Sequence, residues 1–488
     1  MRRAARLSMC GMPELHDLQN ESGTPMVSTS STSPRPRLVV VAPDIVGTKM
    51  AGPGIRFVAI ARQMSDVADV TLALGPEGSR IEEVADLGFA VAEYSDRASL
   101  VAIVAAHDIA FCQLIDQEVV RQGMDAGCRF IFDLYNALPA EAIGAERIGG
   151  FDTQPEMDNA FTDVLAFFRF CLRAGSYFVT SNERQRDFWI GYMMAVDALL
   201  PSELRGRHAS DVVGLVPFGM EDDEPTSRRR AIRDGLGIGD EALVLLWAGG
   251  IWDWFDAETP IRAVTSTRTD GADVHLVFYG TTHPNPMIGT PKAVARARAL
   301  ADDLGVLDAG VHFIDGWVPA EERADYLLDA DIAISAHKES FETRYAFRTR
   351  ILDHFWATLP SIVTEGDWFA DYIAAEGLGR VTGYGDVDST VAAIEELATP
   401  EARALIRAEV ARVRDSWRWE STTAPLREAV SDWQRRLPLR DPLPAPEIAV
   451  TPPPISPDAP TWRAELRSAL ARSPLGPVVR RVRRALGR

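Results

Sequence analysis

The chain has 488 residues, 46% apolar and 25% charged, with a formal net charge of −19; this length suffices for two domains with sizeable cores. The acidic balance argues against nonspecific nucleic-acid binding by the body, and no apolar run is long enough to span a bilayer. The four cysteines, Cys10, Cys112, Cys128 and Cys171, lack metal-ligand spacing; Cys112 and Cys128 read as buried thiols in apolar runs, which fits a reducing cytoplasm.

Residues 1–36 begin basic, lack the apolar centre of a signal peptide and turn Ser/Thr/Pro-rich, which predicts a disordered tail. RLVVV (37–41) predicts a buried strand ending at Ala42-Pro43-Asp44. A loop carrying Gly52, Gly54 and Arg56 then opens a helix bearing Phe57, Ile60, Ala61 and Met64. Strand, glycine loop and helix let backbone N–H groups approach an anion or a sugar. The third glycine of a G-x-G-x-x-G fingerprint is Phe57, however, and a tight turn accounts for the glycines equally well. Further strands are predicted over 69–74, 89–92, 108–112, 129–132, 177–180 and 212–216, with helical stretches such as 99–105, 159–173 and 183–194 between them. Such alternation implies a mainly parallel sheet covered on both faces. Asp133 follows a strand at its carboxyl end, where it either faces a cleft or caps a loop or helix.

Prolines, a glycine and acids over 216–225 read as an interdomain linker, after which the alternation restarts. Strands are predicted over 242–247, 274–279, 311–314, 332–334 and 361–363, and helices over 227–236, 258–267, 291–304 and 321–328. Two stretches of this half carry chemistry. Gly249-Gly250 and Trp252-Asp253-Trp254-Phe255-Asp256 lie just past a strand end. They form either a wall for a sugar or base, with the glycine amides toward phosphate, or an aromatic interdomain seam. The second stretch packs Lys338, Glu339, Glu342, Arg344, Arg348 and Arg350 beyond another strand end, where open parallel sheets bind ligands. Guanidinium forks match phosphate oxygens. Asp353, one turn into the helix that Pro360 ends, suits hydrogen bonds from ribose or sugar hydroxyls. A solvated charged loop with local ion pairs is the other reading of the same charges. His283 and His337 lie in loops at strand ends, and the histidines show no metal spacing. Helices at 401–416 and 422–436 lead into a Pro-rich linker, 438–460, and a basic tail, 461–488, with eight arginines and one glutamate. That tail suits an anionic membrane surface or an acidic partner, or only solubilises the chain.

Five segments carry a family resemblance: GPGIR (52–56), SNERQRDFWIG (181–191), VPFGM (216–220), WAGGIWDWFD (247–256) and RTRILDHFWATLPSIVTEGD (348–367). Together they resemble bacterial group 1 (family 4) glycosyltransferases of the GT-B type over about 37–437. The resemblance implies an α/β, GT-B-like fold: two Rossmann-like, doubly wound parallel-sheet domains facing a cleft, with disordered terminal tails. It puts an acceptor domain at 37–216, a nucleotide-sugar donor domain at 217–420 and a helix crossing back to the first domain at 421–437. It further implies retaining transfer from a nucleotide-diphosphate sugar, as co-substrate, to a hydroxyl of a cell-surface glycan or lipid-linked acceptor, with no metal or other cofactor required.

The chain departs from the family pattern in three places. Of two acids separated by seven residues, the second matches Asp353, but the first position holds Tyr345, with Glu342 three residues earlier as a substitute. GGIWDWFD stands where an Arg and a Lys usually bind diphosphate, so Arg344, Arg348 or Arg350 is expected to supply the charge. Phe132 replaces a histidine before Asp133. The expected site is therefore Asp133, Glu342, Arg348 and Asp353 as catalytic residues, and Gly249, Gly250, Trp252, Lys338, Arg344 and Arg350 around the donor. Gly52, Gly54 and Arg56 are expected on the acceptor side. The overall expectation is a cytoplasmic enzyme, peripheral on the inner face of the plasma membrane through its basic tail, that binds no nucleic acid. A nucleotide-sugar epimerase on the same scaffold and a catalytically degenerate homologue that binds a partner are the alternatives.

Overall fold

The computed structural model describes residues 35–47, 50–75, 87–144, 153–204, 206–282 and 291–440. The expected N-terminal tail, His283, most of the Pro-rich linker and the whole basic tail lie outside the described residues. The apolar runs pair into two parallel sheets. The first holds β1 (Arg37–Val41), β2 (Asp69–Leu74), β3 (Ala90–Glu93), β4 (Ile109–Cys112), β5 (Arg129–Asp133), β6 (Gly175–Thr180) and β7 (Val213–Leu215), in the order β3-β2-β1-β4-β5-β6-β7. The second holds β8 (Leu243–Trp247), β9 (Val274–Phe278), β10 (Val311–Phe313), β11 (Ile332–Ser335), β12 (Ser361–Thr364) and β13 (Gly379–Thr382), in the order β10-β9-β8-β11-β12-β13. In each sheet the strand order reverses beside the first strand, between β1 and β4 and between β8 and β11. The crevice beyond the strand ends at such a point is where open α/β sheets bind ligands.

Strands covered on both faces need apolar side chains on both. On β1, β4 and β5, Val39, Val41, Ala110, Cys112, Phe130 and Phe132 enter one core, and Leu38, Val40, Ile109, Phe111 and Ile131 enter the other. This is the alternation of the strand made visible. Cys112, Cys128 and Cys171 are free and buried. The strand β13 was not expected from the sequence: its polar residues Arg380 and Thr382 hide it, and its register against β12 holds it in place.

The first helix runs Gly52–Met64 with Pro53 in its first turn, so Gly52 and Gly54 are helical rather than part of a loop. Proline's fixed φ suits that position. A Cβ on Gly54 would lie 2.3 Å from the Ile45 carbonyl oxygen, so only glycine lets this turn lie against the loop after β1.

Two chain segments cross between the sheets side by side. The Met220 N–H donates to the Trp417 carbonyl at 2.8 Å, and the Trp419 N–H to the Met220 carbonyl at 3.4 Å. The helix Ala424–Ser431 then packs Leu426, Ala429 and Val430 against Leu38, Val40 and Phe57 of the first sheet's core. Arg427 adds an ion pair to Asp66 at 3.0 Å. Among the described residues, no helix is long and apolar enough to cross a membrane.

Candidate nucleotide-sugar site

A cavity of about 400 Å3 opens beyond the carboxyl ends of β8, β9 and β11. After β8 the chain turns at Gly249, with φ +108, a backbone region that glycine enters freely. Gly280 turns likewise after β9 with φ +76, and a Cβ there would meet the Gly249 backbone at 3.1 Å. Two strand-end turns therefore stack backbone on backbone, which leaves Gly249 and Gly250 lining the cavity with no side chain in the way. Trp252 and Trp254 form one wall, their rings stacked 5.5 Å apart and 13° from parallel. Asp256 anchors this segment by accepting from the Glu258 and Thr259 N–H groups, both at 3.1 Å, at the start of the helix Glu258–Thr269.

Three arginines and a tyrosine face the cavity: Arg323, Arg348, Arg350 and Tyr279. Arg350 opens the helix Arg350–Trp356. Its guanidinium lies over the rings of Phe255 (4.0 Å) and Trp247 (4.9 Å) and donates to the Gly250 carbonyl at 2.6 Å. It makes no ion pair among the described residues, and burial, reinforced by Arg348, pushes its pKa down to about 9. Arg348 is paired with Glu342 at 2.9 Å and lies 3.8 Å from Asp367. Arg323 is paired with Asp353 at 3.1 Å. Burial raises the pKa of Asp353, and Arg323 and then Arg350 pull it back. Burial and the nearby Asp353 push the Tyr279 phenol up.

Four buried polar atoms of these side chains have no hydrogen-bond partner among the described residues: Arg323 Nε, Arg348 Nε, Arg350 Nη1 and Tyr279 Oη. Buried polar groups in folded proteins are nearly always satisfied. The four residues line one cavity, and guanidinium groups there suit an acceptor-rich ligand, since phosphate oxygens meet them with short, strong bonds.

Solved structures share the two-sheet arrangement. Anabaena HepE in complex with UDP matches with a TM-score of 0.58 at 13% identity, over 81% of this chain and 100% of that one. Sucrose-phosphate synthase from Thermosynechococcus elongatus matches with 0.56 at 14%, over 82% and 99%. WaaG, a glycosyltransferase involved in lipopolysaccharide biosynthesis, matches with 0.54 at 16%, over 80% and 98%.

The fold is GT-B. No protein-family model matches the sequence, and no curated protein does. In the GT-B cleft the β8–β13 domain supplies the arginines, while the β1–β7 domain contributes Met50, Gly52 and Ile55.

Of the residues expected at the site, Gly52, Gly249, Gly250, Trp252, Arg348, Arg350 and Asp353 line one cavity. The other expected residues do not line it. Asp133 and Arg56 form an ion pair with both side chains fully buried, at 2.7 and 2.9 Å, and Arg56 also donates to the Val216 carbonyl at 2.8 Å. The end of β5 turns Asp133 toward the first helix, so the pair locks strand, helix and crossing segment together beneath the GT-B cleft. Gly54 is used against the Ile45 backbone instead. Lys338 ties the tryptophan segment down: its Nζ donates to the Asp253 carbonyl and its N–H to the Trp254 carbonyl, both at 3.1 Å. Glu342 is engaged by Arg348. The Arg344 side chain is exposed, and its carbonyl accepts from Arg184 across the domain boundary at 3.3 Å. His337 is buried, its Nε2 3.1 Å from the Glu365 carbonyl oxygen, and desolvation drives its pKa down to about 3.

Arg323, Tyr279 and Glu141 were not singled out from the sequence. Tyr279 had a usable signal, its place at a strand end one residue before a glycine. Arg323 had none, because it lies 30 residues before Asp353 in a helix of ordinary composition. Glu141 sits in the helix Leu138–Gly144, where burial, and then Glu342 of the other domain, raise its pKa to about 7.

Proposed function

We propose that this chain is a glycosyltransferase that moves a sugar from a nucleoside-diphosphate donor to an acceptor hydroxyl, with 37–216 as acceptor domain and 217–420 as donor domain. The observation that carries the reading is the set of Arg323, Arg348, Arg350 and Tyr279 lining one cavity at the β8/β11 switch point, with Arg350 held there without an ion pair among the described residues. When the glycosidic bond breaks, negative charge grows on the β-phosphate. Arg350 and Arg348, with the Gly249 and Gly250 amides, are preorganised to stabilise it, which is electrostatic catalysis. Asp353 accepts hydrogen bonds from the ribose, the Trp252–Trp254 wall takes an apolar ring face, and the Gly52 side of the cleft receives the acceptor. Retention of configuration, metal independence and a glycan or lipid-linked acceptor follow from the family resemblance. The basic charge of the tail itself suggests attachment to anionic membrane, which a chain truncated after Pro446 should lose in liposome sedimentation.

HepE is recorded with UDP and with UDP-glucose, which makes these the first probes. A rise in unfolding midpoint with UDP, unchanged by EDTA, together with UDP release from a UDP-sugar when acceptor is supplied, is the expected result. The configuration of the product reports retention. A second reading, nucleotide binding without turnover, is favoured by Glu342, which is held by Arg348 while Tyr345 occupies the other acidic position of the family pattern. A midpoint shift without release supports that reading, and no shift with any nucleoside diphosphate overturns both.

A further inference from the structure

We infer that Arg323 is a positioning residue: it keeps the Asp353 carboxylate ionised and aimed at the ribose diol of the bound nucleotide, an inference that rests on the donor site proposed above. Arg323 Nη1 lies 3.1 Å from Asp353 Oδ1, and both residues line the cavity. The guanidinium is itself clamped. It lies 5.0 Å from the centre of the Trp356 ring and 3.8 Å from Glu221. Trp356 is pinned in turn, since its indole N–H donates to the Asp223 carbonyl at 2.7 Å. Glu221 and Asp223 both belong to the segment that crosses between the domains, so that segment braces the arginine, and the arginine braces the carboxylate.

A ribose diol presents two O–H donors. An ionised carboxylate is an acceptor only and suits both, whereas a protonated carboxyl must spend one oxygen as a donor. The groups that face Asp353 and Arg323 are Arg350 on the same helix, Tyr279 after β9, with Tyr326 packed against it, and Glu221 on the crossing segment. Burial works toward protonating Asp353, and Arg323 is the largest influence opposing it. Without Arg323, only Arg350 opposes the burial.

The test measures binding of UDP and of 2′-deoxy-UDP to the full chain by calorimetry across the neutral pH range. The terminal phosphate of each ligand titrates near pH ~6, and taking the ratio of the two affinities cancels it. Wild type should prefer UDP by roughly tenfold to a hundredfold, as for a hydrogen bond to a charged group, with a ratio flat in pH. In Arg323→Met the preference should collapse at low pH and recover as pH rises and Asp353 ionises; Arg323→Lys, which keeps the charge, should restore the flat profile. A flat, wild-type-like ratio in folded Arg323→Met overturns the inference and leaves the donor site standing. So does a wild-type ratio that itself titrates through neutral pH, a result that needs no variant to fold. Failure of wild type to bind UDP at all overturns the inference together with the donor site in its uridine form.

Discussion

Replacing Arg350 with methionine should separate stability from ligand binding. The native guanidinium is held by one carbonyl and two ring faces, with no carboxylate in ion-pair range among the described residues. The fall of its pKa to about 9, from an ordinary value above ~12, puts roughly 4–5 kcal/mol against the cation. The two aromatic faces offset about 1–2 kcal/mol each, and the bond to Gly250 about 1 kcal/mol more. The remainder is small, about 0–1 kcal/mol in favour of the apolar variant. Arg350→Met should therefore match or exceed wild type in urea midpoint without ligand, followed by tryptophan fluorescence. The same change removes a charged donor from the phosphates, so UDP affinity should fall roughly tenfold to a hundredfold. A variant that is clearly less stable without ligand, or that binds UDP within about threefold of wild type, would refute the reasoning.

Three further outcomes are expected. Arg56→Met should destabilise by about 3–5 kcal/mol, because Asp133 is left buried and uncompensated, while Arg56→Met with Asp133→Leu should recover most of that in the same urea assay. Glu141 has a folded pKa of about 7, raised by burial and then by Glu342, so its contribution to stability is complete below the unfolded value near pH ~4.3 and lost as pH rises through the folded one. Glu141→Gln should flatten this slope and exceed wild type by up to roughly 3 kcal/mol in mildly alkaline urea titrations; parallel pH profiles would discard the assignment. Arg184→Ala removes a bond to the Gly366 carbonyl (2.8 Å) and an ion pair to Asp371, both across the domain boundary. Amide exchange should accelerate in 183–186 and 366–371 while β11 and β12 stay protected, and unchanged exchange would show that these contacts do not hold the domains.

The strands were legible because strands buried on both faces must be continuous apolar runs, and RLVVV and LVLLW are unambiguous. β13 was not legible: GRVT has no such run and exists as a strand because β12 offers it an open edge. The charged segment after β11 could be placed beyond a strand end from local pattern alone, and so could Gly249 and Gly250. Which of its charges face the cavity could not. Arg348 and Arg350 point into the cavity, Lys338 is used on the Asp253 and Trp254 carbonyls, and Glu342 is engaged by Arg348. A loop of mixed charges has no periodicity from which to read such choices.

Sequence by itself determined the class of the protein: two runs of strand and helix alternation, and the strand-end segments that carry glycine, tryptophan and arginine. Tertiary structure alone decided the site. Asp133 and Arg56 are 77 residues apart and meet only when β5 pairs beside its neighbours and the first helix docks, which turns an expected cleft carboxylate into a buried lock. Arg323 reaches Asp353 because the helices Arg323–Leu327 and Arg350–Trp356 bring them together beyond the ends of β9, β8 and β11. Local pattern reports what each residue does to its own helix or strand, whereas the balance of charge and burial in a cavity depends on side chains that converge only after both sheets have formed.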